Sequence, residues 1–214
     1  MDPKSSAENR RPLKTRSKPW AQWLARRLVV LKVRPNQISV IGIGFSLCGG
    51  ACLLVPPGSF RAGFFFLAAV FVQLRLLCNM MDGLVAVEGG LKSNYGDLYN
   101  EIPDRIEDSI FLVCAGYAAH WPSLGWACAV LAVFTAYLRA FGGSLGQAQD
   151  FCGPMAKPHR MFFLTVGCLL ETVAHLLGKP VPALLIVLWI IVLGAIVTSV
   201  RRILHTAKAS LSRS

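Results

Sequence analysis

Seven of the eleven acidic residues in this 214-residue chain fall between Cys78 and Asp108: Asp82, Glu88, Asp97, Glu101, Asp104, Glu107 and Asp108. Apolar runs flank the stretch on both sides. A carboxylate beside hydrocarbon is costly to bury without a partner, and metal or proton chemistry is a common reason for placing several there. Asp82-Gly83 is expected where one hydrophobic run ends, and Gly89-Gly90 where a short polar loop opens. From Gly96 a helical pattern resumes, with Asn100, Asp104 and Asp108 at i, i+4 and i+8 on one face. Two helix ends carrying oxygen donors would then meet across a tight turn, an arrangement suited to a hard divalent cation.

The stretch resembles the signature of the CDP-alcohol phosphotransferases, DxxDGxxARx8GxxxDxxxD. At its places this chain reads Asn79, Asp82, Gly83, Ala86, Val87, Gly96, Asn100 and Asp104, with every spacing kept. Three residues depart: Asn79 and Asn100 stand for Asp, and Val87 for Arg. The resemblance implies attack by an acceptor alcohol on the phosphate of a CDP-alcohol, with CMP leaving and Mg²⁺ or Mn²⁺ offsetting the charge on the phosphoryl oxygens. Carried over residue by residue, it makes Asn79, Asp82, Asn100 and Asp104 the metal ligands. Asp104 is also the catalytic base. Gly83, Ala86 and Gly96 leave room for the nucleotide, and Lys92 and Ser93 meet its phosphates. Arg139, Lys157 and Arg160 resemble the basic triplet that lines the acceptor pocket where the acceptor is itself phosphorylated. CDP-diacylglycerol is the expected donor, and a homodimer is compatible with the resemblance.

The departures have a chemical consequence. An Asn oxygen can ligate a cation without neutralising it, so the four ligand places supply −2 where the family supplies −4. Asp97, Glu101 and Asp108 are close enough in sequence to compensate, and Arg105 could stand in for the Arg missing at Val87. Two alternatives stay open: a rearranged or single-metal site, or a catalytically silent relative that binds nucleotide or lipid. Restoring Asp at both Asn79 and Asn100 is expected to raise divalent-ion affinity. A small transporter is a third alternative, suggested by Arg75, Arg139 and Glu171 inside apolar runs.

The elements that must hold these residues are helices in a bilayer. Hydrophobic residues make up 54% of the chain and the mean hydropathy is +0.53, which argues for one membrane domain. Seven cysteines without a CxxC pair read as small buried hydrophobes, neither a disulfide framework nor a zinc module. The +11 formal charge gathers at the termini and one internal loop, as anionic lipid requires, so nucleic acid is not expected as a partner.

In chain order the expectation is a disordered basic tail (1–18), an interfacial amphipathic helix (19–36) with Trp20 and Trp23 at headgroup depth, a six-span membrane domain (37–205) and a basic C-terminal tail (206–214). The fold class is thus all-α and polytopic. The spans are expected at 38–56, 60–80, 96–121, 123–146, 159–177 and 181–200, each near the ~20 residues of a bilayer crossing. No cleaved targeting signal is apparent. With six spans the outer loops carry only Arg61 and Lys179, so the positive-inside rule places both termini and the acidic stretch in the cytoplasm, with a bacterial inner (cell) membrane as the expected location. Glu171 and His175, at i and i+4, are expected to form a structural hydrogen bond.

Overall fold

The computed structural model describes residues 18–91, 96–147, 150–179 and 181–211, without the side chains of residues 96, 97, 99 and 100. The expected tail up to residue 17, the Lys92-Ser93 pair and the side chains of Asp97 and Asn100 thus lie outside the described residues. Seven helices are described: α1 Pro19–Val30, α2 Pro35–Leu53, α3 Arg61–Glu88, α4 Gly96–Ala118, α5 Pro122–Ser144, α6 Lys157–Leu176 and α7 Ala183–Leu211. Four of them (α1, α2, α5, α6) open with proline in the first turn, where its fixed φ is preset for helix and its missing N–H costs nothing. Gly90 and Gly178, at φ +61° and +62°, follow α3 and α6 and supply the left-handed residue that stops each.

The six long helices close into a ring in the order α2, α3, α6, α7, α5, α4 and back to α2, and α1 lies across α3. Four of them, α2, α3, α5 and α7, are long and apolar enough to cross a membrane. The chain is an all-α membrane protein. The expected count of six spans is not reached by length and hydropathy alone. The first half of α4 carries Glu101, Asp104, Arg105, Glu107 and Asp108, and α6 carries Lys157, Arg160, Glu171 and His175, which dilute both helices.

Two helix ends differ from expectation. α3 does not stop near residue 80 but runs to Glu88, so Asp82 sits in its interior. Leu84 and Val85 are buried in one cluster with Ala21 and Ala25 of α1, and that packing continues the helix beyond the apolar run. α7 runs to Leu211, through the expected tail boundary at 205, and Gln147 binds Thr206 O (3.0 Å) and Ser210 Oγ (3.1 Å) on this last stretch. α1 leaves Trp20 and Trp23 exposed, and Arg26 reaches Glu88 at the end of α3 (3.3 Å). At the other end of the bundle His175 Nδ1 contacts the Glu171 carbonyl (2.8 Å), while Glu171 Oε1 accepts from Leu184 N (3.1 Å). Glu171 thereby satisfies one of the N–H groups left over at the start of α7.

Glycine decides how closely α4 and α5 approach. A Cβ at Gly116 would stand 2.6 Å from Gly125 Cα, and one at Gly125 would stand 2.8 Å from Gly116 Cα, so neither site has a side chain that could give way. Gly44 on α2 has nothing within 4 Å of a would-be Cβ. Gly125→Ala is expected to cost roughly 1–3 kcal/mol through overpacking, and Gly44→Ala to be neutral or mildly stabilising. Thermal unfolding of the two variants in detergent checks the contrast.

Candidate functional site

Arg75 sits near the middle of α3, fully buried in a helix that is otherwise almost wholly apolar. A guanidinium there needs partners, and α4 supplies three acids one turn apart. Arg75 Nε donates to Glu107 Oε2 (2.5 Å) and Nη2 to Asp108 Oδ1 (2.5 Å) and to the Asp104 carbonyl (3.2 Å), with Asp104 Oδ1 at 3.8 Å. The spacing of Asp104, Glu107 and Asp108 turns them to one side of α4, which faces α3. Asp108 is shared: its Oδ2 accepts from Arg160 Nη2 of α6 (2.9 Å). Arg160 in turn donates to Thr135 Oγ1 (3.2 Å) and the Met155 carbonyl (3.1 Å). One buried network thus joins α3, α4, α5 and α6.

Asp82 lies one helical turn beyond Asn79 on α3 and is buried. Ser39 of α2 donates to its Oδ2 (2.9 Å) and Gly83 N to its Oδ1 (2.5 Å). Of the acids between Cys78 and Asp108 whose side chains are described, it is the one without an Arg or Lys ion pair. Asp104 is contacted by Lys157 Nζ of α6 and by Arg105 Nη2 (3.6 Å). Asp104 and Lys157 both lie close enough to act electrostatically on Asp82. The helices therefore bring Asp82, Asp104 and Lys157 to one end of the bundle. Ser39 orients Asp82 through this hydrogen bond.

Other expectations change. Asn79 Nδ2 donates to Glu107 Oε2 (3.1 Å), so the amide is engaged by an acid beside it. Neither Glu101 nor Asp108 is free to make up the missing charge: Glu101 pairs with Arg139 and with Arg105 (3.4 Å), and Asp108 holds two arginines. Arg139 is consequently no lone cation; besides Glu101 it lies over the Phe151 ring (5.4 Å). Arg160 is buried and pairs with Asp108. Val87 is exposed, whereas Arg105 reaches Asp104 Oδ2 from the helix opposite. Gly83 and Ala86 are half-buried on the same stretch of α3, and the Gly96 backbone opens α4.

The donors fit a hard divalent cation. Asp82 and Asp104 offer carboxylate oxygens, and Glu107 Oε1 is buried without a hydrogen-bond donor. Sequence spacing missed Glu107, because its pairing to Arg75 and Asn79 spans 32 and 28 residues. The charges that suggested a transporter are each engaged, Arg75 and Arg139 in ion pairs and Glu171 by the Leu184 backbone N–H. In the loop after α5, burial, the hydrogen bond to Asp150 and the Asp150 charge push the Cys152 thiol up to about 11, so it is no nucleophile at neutral pH.

No protein-family model matches the chain. A phosphatidylinositol phosphate synthase of Corynebacterium glutamicum is 29% identical over 201 residues, covering 89% of this chain and 85% of that protein. The crystal structure of Mycobacterium tuberculosis phosphatidylinositol phosphate synthase in complex with manganese and citrate matches with a TM-score of 0.69 at 26% identity, over 87% of this chain and 88% of that one. The same enzyme with CDP-DAG bound gives 0.70 at 24% identity, over 87% and 92%.

Removing one partner from a buried charge network leaves the others uncompensated. Arg75→Met is expected to destabilise the protein by about 3–5 kcal/mol, and Arg139→Ala, which opens a partly exposed pair, by about 1 kcal/mol or less. Asn79→Asp sets a carboxylate against Glu107. It should destabilise the fold, and Glu107→Gln in the same chain should recover much of the loss. Thermal unfolding of the single and double variants measures both effects.

Proposed function

We propose that this chain is a CDP-alcohol phosphotransferase of the phosphatidyltransferase type, an enzyme of phospholipid biosynthesis. It transfers a phosphatidyl group from CDP-diacylglycerol to a phosphorylated alcohol, inositol phosphate foremost, and releases CMP. The observation that carries this is Asp82, a buried carboxylate without a cation, held by Ser39 and sharing one end of the bundle with Asp104 at the signature spacing. The similarity of most of the chain to phosphatidylinositol phosphate synthases supports the same chemistry.

Asp82 and Asp104, with Asn100 from α4, would hold Mg²⁺ or Mn²⁺; Asn79 adds an oxygen but keeps its amide on Glu107. Such an ion supplies charge neutralisation for the donor's pyrophosphate and for the transition state. Ser39 fixes the Asp82 carboxylate so that little reorganisation is needed when substrate arrives. Gly83 and Ala86 admit the cytidine against α3, and Lys92 and Ser93 contact its phosphates. Arg139 and Lys157 bind the acceptor's phosphate, with Arg160 behind them fixing Asp108. Asp104 accepts the proton of the attacking hydroxyl. The new bond forms between that oxygen and the phosphatidyl phosphorus, and the phosphorus–oxygen bond to CMP breaks.

Six spans are proposed, although hydropathy singles out four. α4 and α6 both carry exposed apolar side chains (Ile102, Ile106 and Tyr117; Leu169, Leu170, Val173 and Leu176) suited to lipid. Both termini and the acid cluster then face the cytoplasm of a bacterial inner membrane.

Inverted membrane vesicles test site and orientation together. With Mn²⁺, CDP-diacylglycerol in the bilayer and membrane-impermeant inositol phosphate added outside, CMP should be released, and right-side-out vesicles should release none. Asp104→Asn should lower the rate by about 10²-fold or more. Mn²⁺ binding without CMP release, across a panel of phosphorylated and unphosphorylated alcohols, would establish the silent-relative reading instead.

A further inference from the structure

A second group of metal-ligating side chains lies apart from the acid cluster, where the loop before α6 meets the end of α7. Asp150, Cys152 and His205 place one ligand atom each within 4.8 Å of one another. Asp150 Oδ2 is 3.0 Å from Cys152 Sγ and 3.1 Å from His205 Nδ1. In a tetrahedral site with Zn–S near 2.3 Å and Zn–N near 2.1 Å, ligand atoms stand about 3.5 Å apart, so small side-chain rotations complete the geometry. The other carboxylate oxygen, Oδ1, accepts from Cys152 N (2.7 Å), which fixes the orientation of Asp150 and leaves Oδ2 to face the thiol and the imidazole.

The backbone around this group is anchored independently of any ion. Arg202 Nε of α7 donates to the Cys152 carbonyl (3.2 Å), and Met155 N donates to Thr198 Oγ1 (3.0 Å). Gly153, at φ +110°, packs so closely on Thr198 that a Cβ there would stand 2.5 Å from it. The loop is therefore pressed onto α7 with Cys152 and His205 already facing each other. His205 is largely exposed, which leaves a route for an ion and room for a water as fourth ligand.

We propose that Asp150, Cys152 and His205 form a metal site that takes one borderline-soft divalent ion, Zn²⁺ foremost, through Asp150 Oδ2, Cys152 Sγ and His205 Nδ1. On binding, the metal–sulfur bond replaces the thiol's S–H bond and the proton leaves to solvent. Thiolate and imidazole select against Mg²⁺, which separates this site from the oxygen donors at Asp82 and Asp104. The carboxylate and thiolate together neutralise the ion beside Arg201 and Arg202. The ion clamps the loop to α7, and with it Phe151, whose ring packs against the Arg139 guanidinium. This site does not depend on the proposed transferase activity.

The test uses the reduced, full-length protein in nanodiscs, stripped of metal with a chelator and titrated with Co²⁺. A sulfur-to-cobalt charge-transfer band should saturate at one ion per chain, be displaced by Zn²⁺ and persist in excess Mg²⁺. Cys152→Ser should abolish the band and His205→Ala should weaken binding; His205 is exposed enough that its loss leaves the fold intact. Asp82→Asn should keep the band. Absence of the band in the wild type, or its survival in Cys152→Ser, overturns the proposal.

Discussion

A single arginine buried in an apolar helix governs much of this structure. Arg75 could not stay in α3 without anions, and α4 could not turn Asp104, Glu107 and Asp108 inward without a cation. Each element is unstable in the other's absence, so the pairing fixes both the rotation of α4 about its axis and its height against α3. Asp104 is presented to the site because Glu107 and Asp108, three and four residues on, are tied down. Arg160 extends the same logic to α6, and Thr135 carries it to α5. The end of the bundle that carries Asp82 and Asp104 thus rests on a polar core of a kind that apolar packing alone could not register so sharply.

The same network gives a physical reason for an amide at position 79. Asn79 lies beside Glu107, whose Oε2 already accepts from Arg75. An amide there donates a second hydrogen bond, whereas a carboxylate would add a like charge to an acid that has no room to move: a Cβ added to Gly42 of α2 would stand 2.5 Å from Glu107 Oε1. Asp82 keeps its charge unspent, and its neutral partners Ser39 and Gly83 N orient it without cancelling it.

Much of the site was legible in the residues. The density of acids between Cys78 and Asp108 and their helical spacing located it, and the lengths of the apolar runs anticipated the helices. The missing part has one physical cause: charge pairing across helices leaves no local spacing. Arg75 suggested a transporter because its acidic partners are about 30 residues away, and the ion pairs of Arg139 with Glu101 and of Arg160 with Asp108 were likewise invisible in the sequence. Helix ends were missed for a similar reason. Packing of α1 on α3 and of Gln147 on α7 prolongs both helices past the point where apolar character runs out.

The central claim is that Asp82 holds a divalent cation at a site framed by the Arg75 network. Its most direct test is Mn²⁺ titration followed by electron paramagnetic resonance on the nanodisc-embedded protein and on Asp82→Asn, with folding confirmed by thermal unfolding. Loss of the bound Mn²⁺ signal in a folded Asp82→Asn protein, against saturable binding in the wild type, is the result this account predicts. Equal Mn²⁺ binding by both proteins would contradict it.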